Sequence, residues 1–586
     1  MCGIAGIMMQ DGSNPSASAL DALGSALVHR GPDGGGRCVR DGVGLVHRRL
    51  SIIDLATGTQ PMVSPSGVSL VTNGEIYNFI ELRQGILKSS TFKTNSDSEV
   101  ILHLYHCLGY GFVKMLRGMY AIALHDPATG RLILARDPYG IKPLYYVETP
   151  TCFAFASESQ ALQAAGLAGR ELISQRVGEL LQLNFTTAEE TVFQGVKRVL
   201  PGELIVVEGG RIVERHRWHP LPEGPPIVIG ESEALAQMDK VFRDSVEIHQ
   251  RSDVPYGLFL SGGIDSRSVL ACMSRYGAER VRAYTAAFPE GRDEYETAAK
   301  AARLFEAQII RVEITAKHFW NDMPSAVATM DDPVSDAAFL GTYILAREAA
   351  KDVKVVLGGE GADELFAGYS RYRRQALPKW LFGRERRRKG PFSEAGILRD
   401  AHADWRDGLA KAQLAATNGH RSRLQVAQAL DCADFLSHHH LTKIDRPMMA
   451  HGLEGRTPFL DLSVGAFGYQ LPQNLKLRRG RGKYLLRLWL SKQAPQDDCF
   501  ARKKGFTPPY LRWVYQQGKI LGPLVAADPV VDQFCRPGLV PKLFLSENST
   551  HQEMAWRLLF LALWHRRHVR SLSMDGNIAE CLAQSG

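Results

Sequence analysis

The sequence predicts an α/β protein of two domains, and three observations carry that prediction. Residues 1 to 217 hold short apolar runs (GVSLVTN, YAIALHD, RLILARD, CFAFAS) broken by Gly, Pro and Asp turns, the texture of a β-rich domain. From 232 onward, helical stretches such as ESEALAQMDKVFRDSVEIHQR alternate with short apolar strands (YGLFLSGG, RVRAYTAAF, DVKVVLGGEG). That alternation argues for a parallel sheet covered by helices. Between the two, WHPLPEGPPIVIG carries four prolines and ends the first pattern before the second begins.

The elements follow in order. DPATG at 126–130 joins two apolar runs as a hairpin would. DSEVILHLYHCL at 97–108 reads as the clear helix of the first domain, with apolar residues spaced for one face. A Pro-rich linker is expected over 218–231 and the second domain over 232–570, mainly helical beyond 425. Residues 571–586 read as a flexible tail. At roughly 100–200 residues per domain, 586 residues accommodate this division.

Composition removes several classes. Hydrophobic residues at 45% and charged residues at 23% exclude a largely disordered chain. No apolar run reaches eighteen residues, so no membrane span is expected. CGIAGIMM follows Met1 without a cationic segment before it, which argues against a secretory signal. Nine cysteines, an odd number with no CxxC pair, point to the cytoplasm. Cys38, Cys107, Cys152, Cys272, Cys432, Cys499, Cys535 and Cys581 read as buried or idle thiols. Lys plus Arg is 70 against 62 Asp plus Glu, a net +8. Much of that excess is local, in GRERRRKG at 383–390, LRRGRGK at 477–483 and WHRRHVR at 564–570. Such clusters serve nucleic acid, substrate phosphates or simply a solvated face, and the first reads as solvated. His438, His439 and His440 are adjacent, and successive residues of a regular element do not face one point. They read as side chains with separate surroundings rather than as a metal set.

Cys2 is different. If Met1 is removed, a thiol and a free α-amine share one residue, and an amine with a pKa of about 7.7–8.0 can act as base for the thiol. RGPDGGG at 30–36, HRRLSIID at 47–54, NGEIYN at 73–78, SDSEV at 96–100 and ARDPYGIKPLYY at 135–146 follow in order. Together with MCGI this set resembles the N-terminal-nucleophile glutaminase domain of class II glutamine amidotransferases, across nearly all of residues 1–160. The resemblance implies an αββα sandwich of the Ntn-hydrolase type. It implies glutamine binding by Arg49, Ile53, Asn73, Gly74, Glu75 and Asp97. Arg49 would pair with the substrate carboxylate, and Glu75 and Asp97 would hold its ammonium group. The Asn73 amide and the Gly74 N–H would form an oxyanion hole.

FLSGGIDSRS at 259–268 ends an apolar strand in a Gly-rich loop that opens a helix, an arrangement that turns backbone N–H groups toward an anion. It lacks the GKS or GKT of a Walker A loop. SGGIDS resembles instead the pyrophosphate loop of enzymes that adenylate a substrate. VVLGGEGADELFAGYSRY at 355–372 adds glycines and carboxylates. The resemblance implies ATP contacts at Leu260, Ser261, Gly262, Gly263, Asp265, Ser266, Ala286, Gly358 and Gly359. Asp265 and Asp363 would hold Mg²⁺, and Glu360 would lie close to an acyl-adenylate. LTKIDRPMMAHGLEGRTPFLD at 441–461, RGKYLLR at 481–487 and KKGFTPP at 503–509 complete the pattern, which resembles the glutamine-hydrolysing asparagine synthetase family. Lys483 matches a lysine that reaches the phosphates during adenylation.

The resemblance implies a glutamine- and ATP-dependent amidotransferase with a homodimer as the family's habit. Ammonia released at Cys2 would amidate an adenylated carboxylate, with aspartate leading. Departures fall at Arg267, Gly358, Gly455 and DDPVSDAAF at 331–339, the last in the region expected near the acceptor. Arg267 is expected to face solvent. Another carboxylate, in a cell-surface sugar or a secondary metabolite, is the main alternative. A tRNA-modifying pyrophosphate-loop enzyme is more remote, because the glutaminase half is complete and aromatic-interleaved basic motifs are lacking. A non-catalytic scaffold and a β-lactam-forming relative are disfavoured by intact Cys2, Asp265, Glu360, Asp363 and Lys483.

Overall fold

The computed structural model describes every residue except 1, 277–279, 290–293, 379–389, 394, 401–403, 418–419, 502–508 and 585–586. Most of the basic cluster at 383–390 and of KKGFTPP therefore lies outside the described residues.

Two six-stranded antiparallel sheets build the first domain. One runs Lys197–Arg198, Tyr145–Glu148, Cys152–Ala156, Gly3–Met9, Val43–Arg49, Gly34–Arg40. The other runs Arg211–Arg217, Glu203–Glu208, Arg131–Arg136, Gly118–Asp126, Ser69–Ile76, Met62–Val63. Strand alternation sets the layers. Ile4 and Met8 face the second sheet with Val71, Ala121, Leu134 and Phe155, while Ala5 and Ile7 face outward onto Leu20 and Leu23 of the helix Ala17–Ala26. On the far side Val100, Ile101 and Leu104 of the helix Glu99–Leu108 cover Ile122 and Leu124. The order helix, sheet, sheet, helix is the αββα arrangement. DPATG joins Gly118–Asp126 to Arg131–Arg136 as a hairpin.

Residues 218–230 are irregular, and the second domain opens with the helix Glu231–His249. Its sheet is parallel throughout, in the order Gln308–Glu313, Arg282–Ala287, Tyr256–Phe259, Val355–Leu357, Glu454–Arg456. The strand order reverses between Tyr256–Phe259 and Val355–Leu357. In an open parallel sheet the crevice beyond the carboxyl ends at such a reversal is where ligands bind. The loops SGGIDS and GGEGADE leave those two strands there.

The domains share a core. The helix Ser549–His568 is buried along most of its length, with Trp556, Leu559, Phe560, Leu563 and Trp564 packed against Phe319 and Phe339 and in one cluster with Leu180 and Phe193 of the first domain. Its indoles donate to the carbonyls of Ser335 (2.7 Å) and Met330 (2.8 Å), as buried tryptophans require. The expected flexible tail is instead a helix, Ile578–Ala583, capped by Asn577 and Glu580 and holding Ile578, Cys581 and Leu582 in that core. Three apolar side chains in six residues suffice to hold it. Among the described residues no helix is long and apolar enough to cross a membrane.

Candidate active sites

Cys2 enters the strand Gly3–Met9 with its thiol buried against the carbonyl of Leu50 (3.9 Å). Burial pushes the thiol above its ordinary pKa, against a lowering by nearby positive charge, so a thiolate needs a base at hand. The Cys2 backbone nitrogen donates to Asn73 Oδ1 at 3.0 Å. That contact leaves Asn73 Nδ2 buried with no hydrogen-bond partner, a donor aimed at nothing the chain supplies. Gly74 tolerates no side chain: a Cβ there would meet the Met119 carbonyl oxygen at 2.0 Å. Asp97 accepts from the Ile76 N–H at 2.7 Å, yet burial raises its pKa to about 6. Burial and the neighbouring Glu454 and Asp97 hold Glu75 well above the ordinary carboxyl range. Arg49 donates to the carbonyls of Ile53 (3.4 Å), Asp54 (2.5 Å) and Leu55 (3.3 Å), so it organises the 53–55 turn. The structure thus gathers Cys2 with Asn73, and Arg49 with Ile53, while Glu75 and Asp97 interact electrically.

The second centre is a cleft of about 310 Å³ at the sheet reversal, lined by Leu260, Ser261, Asp265, Ser266, Ala286, Gly359, Glu360 and Asp363 among others. The Gly-rich loop donates three backbone N–H groups: Ser261 to Ser266 Oγ (3.0 Å), Gly262 to Glu294 Oε2 (3.0 Å) and Gly263 to Ser261 Oγ (3.1 Å). A carboxylate already sits on Gly262, which displays the loop's affinity for an anionic oxygen. Lys483 Nζ lies 2.7 and 2.6 Å from the two oxygens of Asp265 and 2.7 Å from Asp363. Both carboxylates therefore converge on one cationic point. Two convergent oxygen donors fit Mg²⁺, which takes few protein ligands and completes its shell with phosphate and water.

The local sequence makes this geometry. Lys483 adopts the left-handed backbone conformation at φ +58° and is tied by its N–H to the Phe366 carbonyl (3.1 Å). A Cβ on Gly368 would fall within 2.1 Å of Lys483 Cε, and one on Gly482 within 2.2 Å of the Ala367 carbonyl oxygen. Glu360, raised above the ordinary carboxyl range chiefly by desolvation, lines the cleft and also a small, half-open chamber beside it. Gly358 lines that chamber rather than the cleft. Ile141, Val356, Leu357, Leu441, Ile444 and Met448 give the chamber an apolar wall, and its far end reaches Arg456. Arg456 in turn pairs with Glu75 at 3.5 Å.

Comparison with known proteins decides the family. Residues 237–566 match the family model described as "Asparagine synthase", and residues 1–219 match "Glutamine amidotransferase domain". The chain belongs to the asparagine synthase family. It is 28% identical to Asparagine synthetase [glutamine-hydrolyzing] 1 of Bacillus subtilis, covering 99% of each chain. It is 32% identical to a putative asparagine synthetase [glutamine-hydrolyzing] of Mycobacterium bovis, over 96% of this chain and 97% of that one. It is also 27% identical to Amidase chry2 of Gibberella zeae, over 88% of this chain and 90% of that one.

Two expectations need correction within this asparagine synthase family chain. Arg267 does not face solvent: it is 5% exposed and forms a buried ion pair with Asp497, while its Nε donates to the Gly263 carbonyl (3.3 Å). Helical position alone put it outward, but the 497 loop packs over that turn. DDPVSDAAF is only in part beside the cleft. Asp331 binds Arg446 (2.5 Å) and the Ser159 N–H (2.5 Å), and Asp332 binds Arg198 (2.6 Å) and the Tyr145 hydroxyl (2.8 Å), so both serve the domain interface. Asp336 reaches Lys443 (3.0 Å), which lines the cleft, as does Ala338.

Other residues carried no sequence assignment although they lie inside recognised motifs. Arg30 Nε donates to the Cys2 carbonyl (3.2 Å), while its other nitrogens hold Glu158 (2.7 Å) and Asp445 (2.8 Å). Asp445 also pairs with Arg446 (2.9 Å), so one helix of the second domain, Thr442–Met449, braces the backbone of the first domain's thiol. Their motifs were legible, but their partners stand hundreds of positions away. The three histidines lie on the π-helical stretch Asp431–Leu441 and look in different directions: His438 toward Asp434 (3.6 Å), His439 toward Asp336 (3.3 Å) and His440 toward Tyr369 (2.8 Å).

Proposed function

We propose that this chain is a glutamine-dependent, ATP-dependent amidotransferase that converts an adenylated carboxylate to its amide, with aspartate as the leading acceptor. The observation that carries the reading is the apolar chamber beside Glu360, whose far wall is Arg456, the partner of Glu75. Two reactive centres with a small, largely apolar chamber between them suit a neutral nitrogen nucleophile, because ammonia in open water becomes ammonium and loses its lone pair.

In the first domain Cys2 Sγ attacks the glutamine side-chain carbonyl. The nitrogen at the head of Cys2, as the α-amine of a chain trimmed of Met1, takes the thiol proton, and its present contact with Asn73 Oδ1 orients it. The unpartnered Asn73 Nδ2 and the Gly74 N–H receive the oxyanion. Arg49, Ile53, Glu75 and Asp97 hold the amino-acid end. Ammonia leaves, and water hydrolyses the thioester.

In the second domain Ser261, Gly262, Gly263 and Ser266 present donors to the ATP phosphates, and Leu260, Ala286 and Gly359 frame the nucleoside. Asp265 and Asp363 would hold Mg²⁺, which neutralises charge on the departing pyrophosphate. Lys483, which bridges the same two carboxylates, would stabilise the same developing charge. Glu360 stands where ammonia would emerge. Nine free thiols suit a reducing, cytoplasmic setting.

The likeness to Amidase chry2 and the removal of Asp331 and Asp332 from the cleft favour a second reading, in which the acceptor is another carboxylate. A screen of carboxylates with glutamine, ATP and Mg²⁺, read as pyrophosphate release and as amide product, tests both. Aspartate-dependent pyrophosphate release with asparagine formed is expected. Pyrophosphate release that no carboxylate stimulates sinks the amidotransferase reading.

A further inference from the structure

Both domains line a groove of about 690 Å³ that shares no lining residue with the cleft or the chamber. That volume is within the usual range for a small-molecule site. Ser25, His29 and Arg170 face it from the first domain, and Thr329, Arg567 and Ser571 from the second.

The charge of the groove is one-sided. No carboxylate lines it, whereas two guanidiniums do. Helix C-termini attract cations, and Arg170 answers one by donating to the His568 carbonyl at the end of Ser549–His568. Its other nitrogens have no acceptor among the described residues, and neither has any nitrogen of the Arg567 guanidinium. Burial, with Arg567 adding like charge, lowers Arg170 from the ordinary guanidinium pKa. Two positive charges thus act on each other across the groove with no carboxylate to offset them. Ser25 and Ser571 add exposed hydroxyls to the same walls.

We propose that this groove is a regulatory site for a small phosphate monoester, and that His29 reports its occupancy to Cys2. Two fixed positive charges call for a dianion. A phosphate monoester carries about −1.5 to −2 near neutral pH, where a carboxylate carries a single charge. The guanidinium fork also matches phosphate oxygens two at a time. Five alanines make up much of the remaining wall, an apolar bed for the organic part of the ester.

The route to the thiol is a chain of direct contacts. His29 Nε2 donates to Glu158, which is fully buried, at 3.1 Å. Glu158 accepts from Arg30 Nη1 at 2.7 Å, and Arg30 Nε donates to the Cys2 carbonyl at 3.2 Å. A dianion in the groove pulls the imidazole away from Glu158. Glu158 then draws harder on Arg30, and the hold of Arg30 on the Cys2 carbonyl loosens.

Phenyl phosphate, a monoester with a flat apolar body, tests the site on the full-length chain at about 0.15 M salt. Calorimetry is expected to show it bound more tightly than benzoate or inorganic phosphate. Arg567→Gln, alone and combined with Arg170→Gln, should weaken it at least about tenfold, the scale of one lost charge-assisted hydrogen bond. Arg567 is exposed, so its single variant keeps the test sound if Arg170→Gln disturbs the fold. Binding that both variants leave unchanged places the ester elsewhere. That result, an absence of binding, or benzoate bound as tightly overturns the site. The link to Cys2 is read from the rate at which iodoacetamide alkylates its thiol, located by peptide mapping. Saturating phenyl phosphate is expected to speed alkylation about fivefold, the lower end of the usual coupling between two sites. His29→Ala should remove that effect while the ester still binds. An unchanged or slower rate in the parent overturns the link. Neither readout uses turnover, so both are independent of the amidotransferase reading and of the acceptor.

Discussion

Replacing Lys483 by Met removes one charge and keeps the length of the chain, and the structure fixes what should follow. Nζ is 2.7 Å from Asp363 and 2.6 Å from the nearer Asp265 oxygen, and its side chain is 4% exposed. At an effective dielectric of about 20, each contact is worth about 6 kcal/mol of gross attraction before desolvation is subtracted. Without the ammonium, two carboxylates that shared it stand no more than about 5.3 Å apart, the sum of the two contacts, and repel by about 3 kcal/mol. Breaking a buried pair by deleting one partner costs about 3–5 kcal/mol, which agrees. In chelator-treated protein without ATP, Lys483→Met should therefore unfold at a clearly lower urea concentration than the parent. Millimolar MgCl₂ should restore most of the loss, because a divalent cation replaces the ammonium between the same oxygens, while NaCl of matched ionic strength should not. The parent should respond little to Mg²⁺ under these conditions, since Nζ holds the site. Turnover should fall at least about 100-fold, the scale for losing one preorganised electrostatic contact. If the variant is as stable as the parent in chelator, or gains no more from Mg²⁺ than from NaCl, the shared-cation reading of Asp265 and Asp363 is wrong.

Three further outcomes are expected. Cys2→Ala should abolish glutamine-dependent amide formation and keep the ammonium-dependent reaction, with Asp265→Ala showing the reverse in glutaminase and pyrophosphate assays; glutamine hydrolysis by Cys2→Ala would refute the nucleophile. Asp97, with its pKa raised to about 6 by burial, binds a proton in the folded chain that the unfolded chain has already lost, so its contribution to stability declines as pH rises from about 4 to 6. Its charge is present only above that range, so kcat/KM for glutamine should fall below about pH 6 and Asp97→Asn should flatten the profile at a lower level; a parent profile flat to pH 5 removes Asp97 from the ammonium site. Arg267→Ser leaves the Asp497 carboxylate, 6% exposed, without its partner and should cost about 3–5 kcal/mol in urea unfolding, with much of it regained in the double variant carrying Asp497→Asn; a tenfold change in the KM for ATP with unchanged stability would make Arg267 a phosphate ligand instead.

The sequence by itself determined the two textures, the break at the proline-rich segment and the family resemblance from which the chemistry of each centre is proposed. That followed because these signals are local. Alternation writes a sheet and SGGIDS writes a strand that turns into a helix, each within a few residues, and the nucleophile proposed at Cys2 is read from the ordered set of short motifs that follows it. Tertiary structure alone decided how distant parts meet. Arg267 looked outward by helical geometry, yet Asp497 lies over it 230 positions later. Asp331 and Asp332 had the composition of a substrate site, but Ser159 and Arg198 of the first domain claim them across the domain interface. Residues 578–583 looked like a tail because a six-residue helix has too little periodicity to read, and burial of Ile578, Cys581 and Leu582 makes it. The link from Cys2 through Arg30 to Asp445 spans 415 positions between the last two. Such contacts depend on which surfaces a fold brings together, and a charge in the sequence carries no mark of its partner.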